Sequence, residues 1–267
     1  MAKEYLPKKT FFSLKITIFV ATSFDAIKDK INTMKVILKI ALTLAAIILV
    51  DASACADNRD WAALGRYAAD NKALPPPGKD EHRVVFMGNS ITYFWVDKHS
   101  HFFTSNNYIG RGISGQTSSQ FLLRFREDVI NLSPEIVIIN AGTNDCAENT
   151  GPFNVDITLG NIISMVELAQ ANGIKVILSS VLPVAEFYWN RSITDVADRV
   201  AILNDRIKSY AVSKGLPYID YYTKMVDGPD RALNPLYTDD GVHPNELGYE
   251  IMESIVKPAI DSIIEMQ

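Results

Sequence analysis

The sequence predicts an α/β protein built on an open, doubly wound parallel sheet, and three observations predict it. Short runs such as Ile136-Val137-Ile138-Ile139 are apolar on both faces, as strands are when helices cover a sheet from both sides. These runs alternate with longer amphipathic segments, the order that strand–crossover–strand units produce. The 267 residues are 48% hydrophobic and 21% charged, with no internal repeat or low-complexity tract, which is ample material for a single core.

Strands are expected at 83–87, 107–111, 135–140, 174–179 and 216–221, and helices at roughly 118–132, 156–172, 192–214 and 245–265. Ahead of them, residues 57–80 form a preliminary segment. Within it, 58–73 reads as a short helix, and Leu74-Pro75-Pro76-Pro77-Gly78 as a stiff connector. Residues 81–267 form the main domain.

Residues 1–56 read as a leader. Lys35 and Lys39 precede the apolar stretch Ile40–Val50, and either Ala52-Ser53-Ala54 or Ala54-Cys55-Ala56 supplies a small-residue cleavage site. That is the layout of a secretory signal, too short to span a membrane. Met34 is the expected start, although a second apolar piece, Phe11–Phe24, leaves a longer leader open. The mature protein is therefore expected to be secreted or periplasmic. A lipid anchor on Cys55 is the only membrane attachment expected, and Ala52 is a poor match to the aliphatic residue that such a signal carries three positions before its cysteine.

The leader holds eight lysines against four acidic residues, so the net charge of −5 leaves the remaining 211 residues at −9. An acidic body argues against nucleic acid as a partner, because phosphate binding needs a basic face. There are only two cysteines, Cys55 and Cys146, which exclude a disulfide scaffold and make a thiolate metal site implausible.

In sheets of this kind, functional residues gather at the carboxyl ends of the strands. Gly88-Asn89-Ser90 follows the first strand, Gly112-Ile113-Ser114-Gly115-Gln116-Thr117 the second, and Ala141-Gly142-Thr143-Asn144-Asp145 the third. Asp239-Asp240-Gly241-Val242-His243-Pro244 precedes the last helix. Ser90 is a nucleophile in need of a base, and His243 is the natural candidate. Asp240, three residues earlier, can hold the imidazole tautomer. Pro244 suits the first position of the following helix, which would set His243 at its positive end. A tetrahedral intermediate needs fixed donors. The backbone N–H groups of Ser90 and Gly115 and the side-chain amide of Asn144 can supply them.

With these residues assembled, the chain resembles the SGNH (GDSL-type) hydrolase family over about residues 83–265. The blocks "FMGNS", "GRGISGQTS", "INAGTND" and "DDGVHP" stand in the family's order. The resemblance implies a three-layer α/β/α sandwich around a five-stranded, flavodoxin-like parallel sheet. It implies Ser90 as nucleophile, His243 as base, Asp240 as its orienter, and Gly115 and Asn144 as oxyanion donors. No metal or organic cofactor is implied. Asn89 departs from the family, which usually has Asp there; either residue can organise the loop through backbone hydrogen bonds. The absence of a G-x-S-x-G elbow disfavours the common α/β-hydrolase fold.

Alternatives remain at several positions. Asp239 competes with Asp240, Gly112 with Gly115, and His99 and His101 are rival bases, although a solvated loop is the simpler account of both. Asp145 is expected to stabilise a turn, and Cys146 to be an inert, packed thiol. Tyr93, Phe94 and Trp95 after the serine, and Tyr188 and Trp189 after the fourth strand, are candidates for a wall that contacts an acyl group or a sugar. Of these, Tyr93, Trp95, Tyr188 and Trp189 are the expected substrate contacts. The expected activity is a serine esterase acting on small-molecule or glycan esters, with acetyl the favoured acyl group. A lysophospholipase or thioesterase is the nearest alternative, and a non-catalytic glycan-binding protein on the same fold the more distant one.

Overall fold

The computed structural model describes residues 34, 35, 38, 39 and 60–266. The chain divides into two compact units, 1–59 and 60–267. In the first, the four described residues are helical and exposed. The expected signal segment, its cleavage site and Cys55 otherwise lie outside the described residues. Among the described residues, no helix is long and apolar enough to cross a membrane.

The second unit carries a five-stranded sheet in which every pairing is parallel. Its strands are β1 (Val84–Gly88), β2 (Tyr108–Gly112), β3 (Ile136–Ile139), β4 (Lys175–Ser179) and β5 (Tyr218–Ile219), in the order β2-β1-β3-β4-β5. In register, Val84 lies between Tyr108 and Ile136. The helices are α1 (Ala68–Ala73), α2 (Ser90–Lys98), α3 (Ser100–Ser105), α4 (Ser118–Asp128), α5 (Thr143–Cys146), α6 (Val155–Ala171), α7 (Val196–Lys214), α8 (Tyr221–Met225) and α9 (Glu246–Glu265). A small antiparallel pair, Val226–Asp227 with Ala232–Leu233, follows α8.

Alternation along the strands splits the core in two, which makes the three layers. Val85, Met87, Val137 and Ile139 face Phe121, Phe125, Ile162, Met165 and Leu203 from α4, α6 and α7. Val84, Phe86, Ile136 and Ile138 face Ile91, Trp95, Phe103, Tyr249 and Met252 from α2, α3 and α9. This is the predicted doubly wound α/β sandwich.

Several boundaries differ from expectation for local reasons. Residues 60–67 form turns rather than helix: the Asp60 carboxylate accepts from the N–H groups of Leu64 and Gly65, and only 68–73 is helical. β5 is only two residues long, because Asp220 already caps α8 by accepting from the Thr223 N–H. Helices α2 and α3 were not foreseen. The β-branched and aromatic run after Ser90 masks a helical stripe in which Ile91 and Trp95 are buried.

The order β2-β1-β3 places the topological switch between β1 and β3, where a crevice opens at the carboxyl ends. Ser90 follows β1 and Asn144 follows β3.

Candidate active site

Asn89 follows β1 and caps α2, its Oδ1 accepting from the Ile91 N–H at 2.9 Å. The cap needs an acceptor, which Asn supplies as well as Asp. It makes Ser90 the first residue of the helix, so the Ser90 N–H has no intrahelical partner and sits at the positive end of the helix. Close packing fixes this turn: a Cβ on Gly112 would lie 2.3 Å from the Tyr93 backbone nitrogen. Gly112 is thus a close-approach glycine within β2, and Gly115, at φ +77°, is the glycine on the cleft.

Ser90 Oγ lies 2.9 Å from His243 Nε2, and His243 Nδ1 lies 2.7 Å from Asp240 Oδ2. The neutral tautomer that satisfies both contacts carries its proton on Nδ1, leaving Nε2 to accept from the serine hydroxyl. Asp240 Oδ1 accepts from the backbone N–H groups of Val242 and His243, and Thr238 donates to the His243 carbonyl. Burial alone would raise the Asp240 carboxyl. The His243 N–H, its imidazole and the Val242 N–H outweigh burial and hold it below the ordinary carboxylate range. Phe94, one turn beyond Ser90, packs edge-on against the His243 ring at 5.3 Å. Asp239 is exposed and takes no part in these contacts.

The third wall comes from β3. The Asn144 side-chain amide spends one N–H on the Gln116 carbonyl at 2.9 Å, and its second remains for the cleft. Beneath it lies Arg124, fully buried on α4. Its guanidinium donates to Gln116 Oε1, the carbonyls of Gly88 and Arg111, and Asp128 Oδ2, at 2.6–3.0 Å. One side chain thus fastens the carboxyl ends of β1 and β2 to the loop that carries Gly115. Asp145 accepts from the Ser118 backbone N–H and hydroxyl and from Thr158, a turn-fixing role. Burial raises its carboxyl against the pull of those donors. Cys146 is buried beside it, and burial pushes its thiol up as well.

These groups share an open cleft of about 420 Å³, walled by Phe94, Tyr188 and Trp189 and containing Ser90, Gly115, Asn144, Asp240 and His243. Two expected wall residues are elsewhere. Trp95 is in the core, stacked between Phe102 and Tyr249 with its indole N–H on Glu253. Tyr93 turns to a neighbouring groove beside Arg66 and Tyr67. Helical geometry explains both: residue i+4 from Ser90 returns to its face, and that residue is Phe94. Pro244 precedes the Asn245 cap of α9 and does not open the helix, so His243 does not sit on that helix terminus. His99 pairs with Glu253 at the α2–α3 junction, not in a solvated loop, and His82 pairs with Glu135. Ser114, Gln116, Arg124 and Asn149 were not singled out from the sequence. Among the described residues, no three His, Cys, Asp or Glu side chains converge to hold a metal ion.

A serine hydroxyl bonded to an imidazole that a carboxylate holds, in a switch-point cleft, is the equipment of acyl transfer, and the class that fold and site define is the acylhydrolases. Residues 86–251 match the model of the GDSL-like lipase/acylhydrolase family. The chain belongs to that family, and thereby to the carboxylic ester hydrolases. A GDSL-like lipase from Bacteroides thetaiotaomicron, of known crystal structure, is 61% identical, with 76% of this chain and 98% of that one covered and a TM-score of 0.75. An acetylxylan esterase of Xylanibacter ruminicola is 25% identical over 224 residues, 71% of this chain and 45% of the relative. An uncharacterized lipoprotein of Bacillus subtilis is 32% identical over 93 residues, 31% of this chain and 38% of the relative. The chain spans less than half the length of these two curated relatives.

Proposed function

We propose that the chain is a serine esterase that removes O-acyl groups, above all acetyl, from carbohydrates outside the cytoplasm. The observation that carries this is the 2.9 Å contact between Ser90 Oγ and His243 Nε2, backed by Asp240 at 2.7 Å. Ser90 Oγ attacks the ester carbonyl carbon while its proton passes to Nε2 of His243. Asp240 stabilises the imidazolium. The carbonyl oxygen, now an oxyanion, takes hydrogen bonds from the Ser90 and Gly115 N–H groups and from Asn144 Nδ2. The intermediate collapses and the C–O bond to the alcohol breaks. His243 returns the proton to the leaving oxygen, and an acyl-Ser90 ester remains. Water deprotonated by His243 attacks that ester through a second tetrahedral intermediate, freeing the acid and restoring the serine.

The short, open cleft with exposed Tyr188 and Trp189 at its mouth suits a sugar ring on the alcohol side, since such rings stack on aromatic faces. The acetylxylan esterase relative supports the same substrate class. The leader pattern of residues 34–56 and the lipoprotein relative support export, with the mature chain starting at Cys55 or Asp57. The 61%-identical relative is described as a lipase, and it favours a second reading, hydrolysis of longer acyl esters. Acetate release from acetylated xylo-oligosaccharides, compared with hydrolysis of octanoyl esters, separates the two. Acetate release that Ser90→Ala abolishes is expected; a preference for octanoyl over acetyl would replace the deacetylase by the lipase.

A further inference from the structure

The side chain of Asn149 joins three strand-end loops at the cleft. It follows α5, its Nδ2 donates to the Gly115 carbonyl at 3.0 Å, and its Oδ1 accepts from Trp189 Nε1 at 3.0 Å. The preceding turn is held by Glu148 at φ +60° and by the Asn149 N–H on the Asn144 carbonyl. Each contact has a consequence. With the Gly115 carbonyl bound to Asn149 and the Gln116 N–H bound to the Ile113 carbonyl at 3.4 Å, the peptide plane that follows Gly115 is held at both of its polar groups. The direction of the Gly115 N–H then depends on the φ and ψ of Gly115 itself, a glycine that has no side chain to restrain them. On the other side, the indole N–H is the only polar group of Trp189. Bonded to Asn149, it fixes the azimuth of a ring that is 40% exposed on the cleft and that Tyr188 and Phe187 support.

We propose that Asn149 is a positioning residue that couples Trp189, the platform for the alcohol moiety of the ester, to Gly115, the oxyanion donor. A sugar ring seated on Trp189 restrains the indole, the indole restrains the amide, and the amide restrains the peptide that aims the Gly115 N–H. This rests on the esterase reading above and names a specificity device within it. Esters of a cyclic alcohol gain in kcat and not only in KM.

The test is steady-state kinetics of the full chain on p-nitrophenyl acetate and on an acetylated xylo-oligosaccharide, for Asn149→Ala, Trp189→Phe and the double variant. Asn149→Ala is expected to lower kcat on both esters about tenfold with little change in KM, short of the 100-fold or more that deletion of an oxyanion donor costs. Trp189→Phe keeps a ring but loses the N–H, and lowers kcat on the sugar ester. The double variant is no slower on that ester than Asn149→Ala alone. Inhibition by phenylboronic acid, whose boron takes the Ser90 oxygen into a tetrahedral anion, weakens in parallel with kcat. A change in KM alone, multiplicative effects in the double variant, or unaltered boronate inhibition overturns the coupling. Ser90→Ala is the separate control: activity that survives it refutes the esterase mechanism itself, whatever Asn149 does.

Discussion

Replacing Arg124 by Met isolates the element that fastens the site to the sheet. The guanidinium is fully buried and engages four acceptors, one of them the carboxylate of Asp128, itself 2% exposed. Met matches the stem of the arginine but satisfies none of the acceptors. Stranding a buried carboxylate costs about 3–5 kcal/mol. Asp128 keeps the Asn71 amide at 2.8 Å, which softens that loss, while the orphaned Gly88, Arg111 and Gln116 oxygens add to it. A net loss of about 4 kcal/mol lowers the melting temperature of a domain this size by about 8–16 °C. Thermal unfolding followed by circular dichroism at neutral pH measures it. Arg124→Met combined with Asp128→Leu removes the stranded charge and recovers about half of the loss. A single variant that melts within about 3 °C of the wild type, an effect of no more than about 0.8–1.5 kcal/mol, contradicts this account of the buried network.

Three further outcomes follow from the site. Asp240→Asn lowers kcat on p-nitrophenyl acetate about 10³- to 10⁴-fold, because the amide no longer holds the required imidazole tautomer. The wild-type carboxyl lies below its ordinary range, so its contribution to stability is complete above about pH 4 and fades only as pH falls through the lowered value. Urea titrations of the two proteins should therefore show a gap between them that narrows as pH falls below about 4. Gly112→Ala drives a Cβ into the Tyr93 backbone and shifts α2, lowering stability by about 1–3 kcal/mol and slowing hydrolysis, since Ser90 rides on that helix. In a Cys55→Ser variant, Ellman's reagent should find no reactive thiol until the chain is unfolded, because Cys146 is buried with its thiol pushed up; rapid labelling of the native chain would contradict that.

The sheet was legible because β1, β3 and β4 are apolar on both faces, a pattern that only a covered strand needs. The strand-end blocks were legible because each chemical type, hydroxyl, imidazole, carboxylate and amide, has few other uses so close to a strand terminus. Helix α2 was hidden by its own composition: Thr92, Tyr93, Phe94 and Trp95 favour strands, and the Asn89 cap with tertiary packing overrides them. Missing that helix misassigned Tyr93 and Trp95, since the faces of a helix cannot be sorted before the helix is known. Arg124 did leave a trace. Phe121, Arg124, Phe125 and Asp128 form one buried stripe in which a cation and an anion stand four residues apart. Asn149 left none, because its two partners lie 34 and 40 residues away in other loops.

The central claim is that the hydroxyl of Ser90, deprotonated through His243, forms the covalent intermediate. Peptide mass spectrometry after treatment with a fluorophosphonate tests it most directly. The account predicts a single adduct on Ser90 of the native chain, lost in Ser90→Ala and formed far more slowly in His243→Ala. An adduct on any other residue, or ester hydrolysis that persists with Ser90 unmodified, would contradict it.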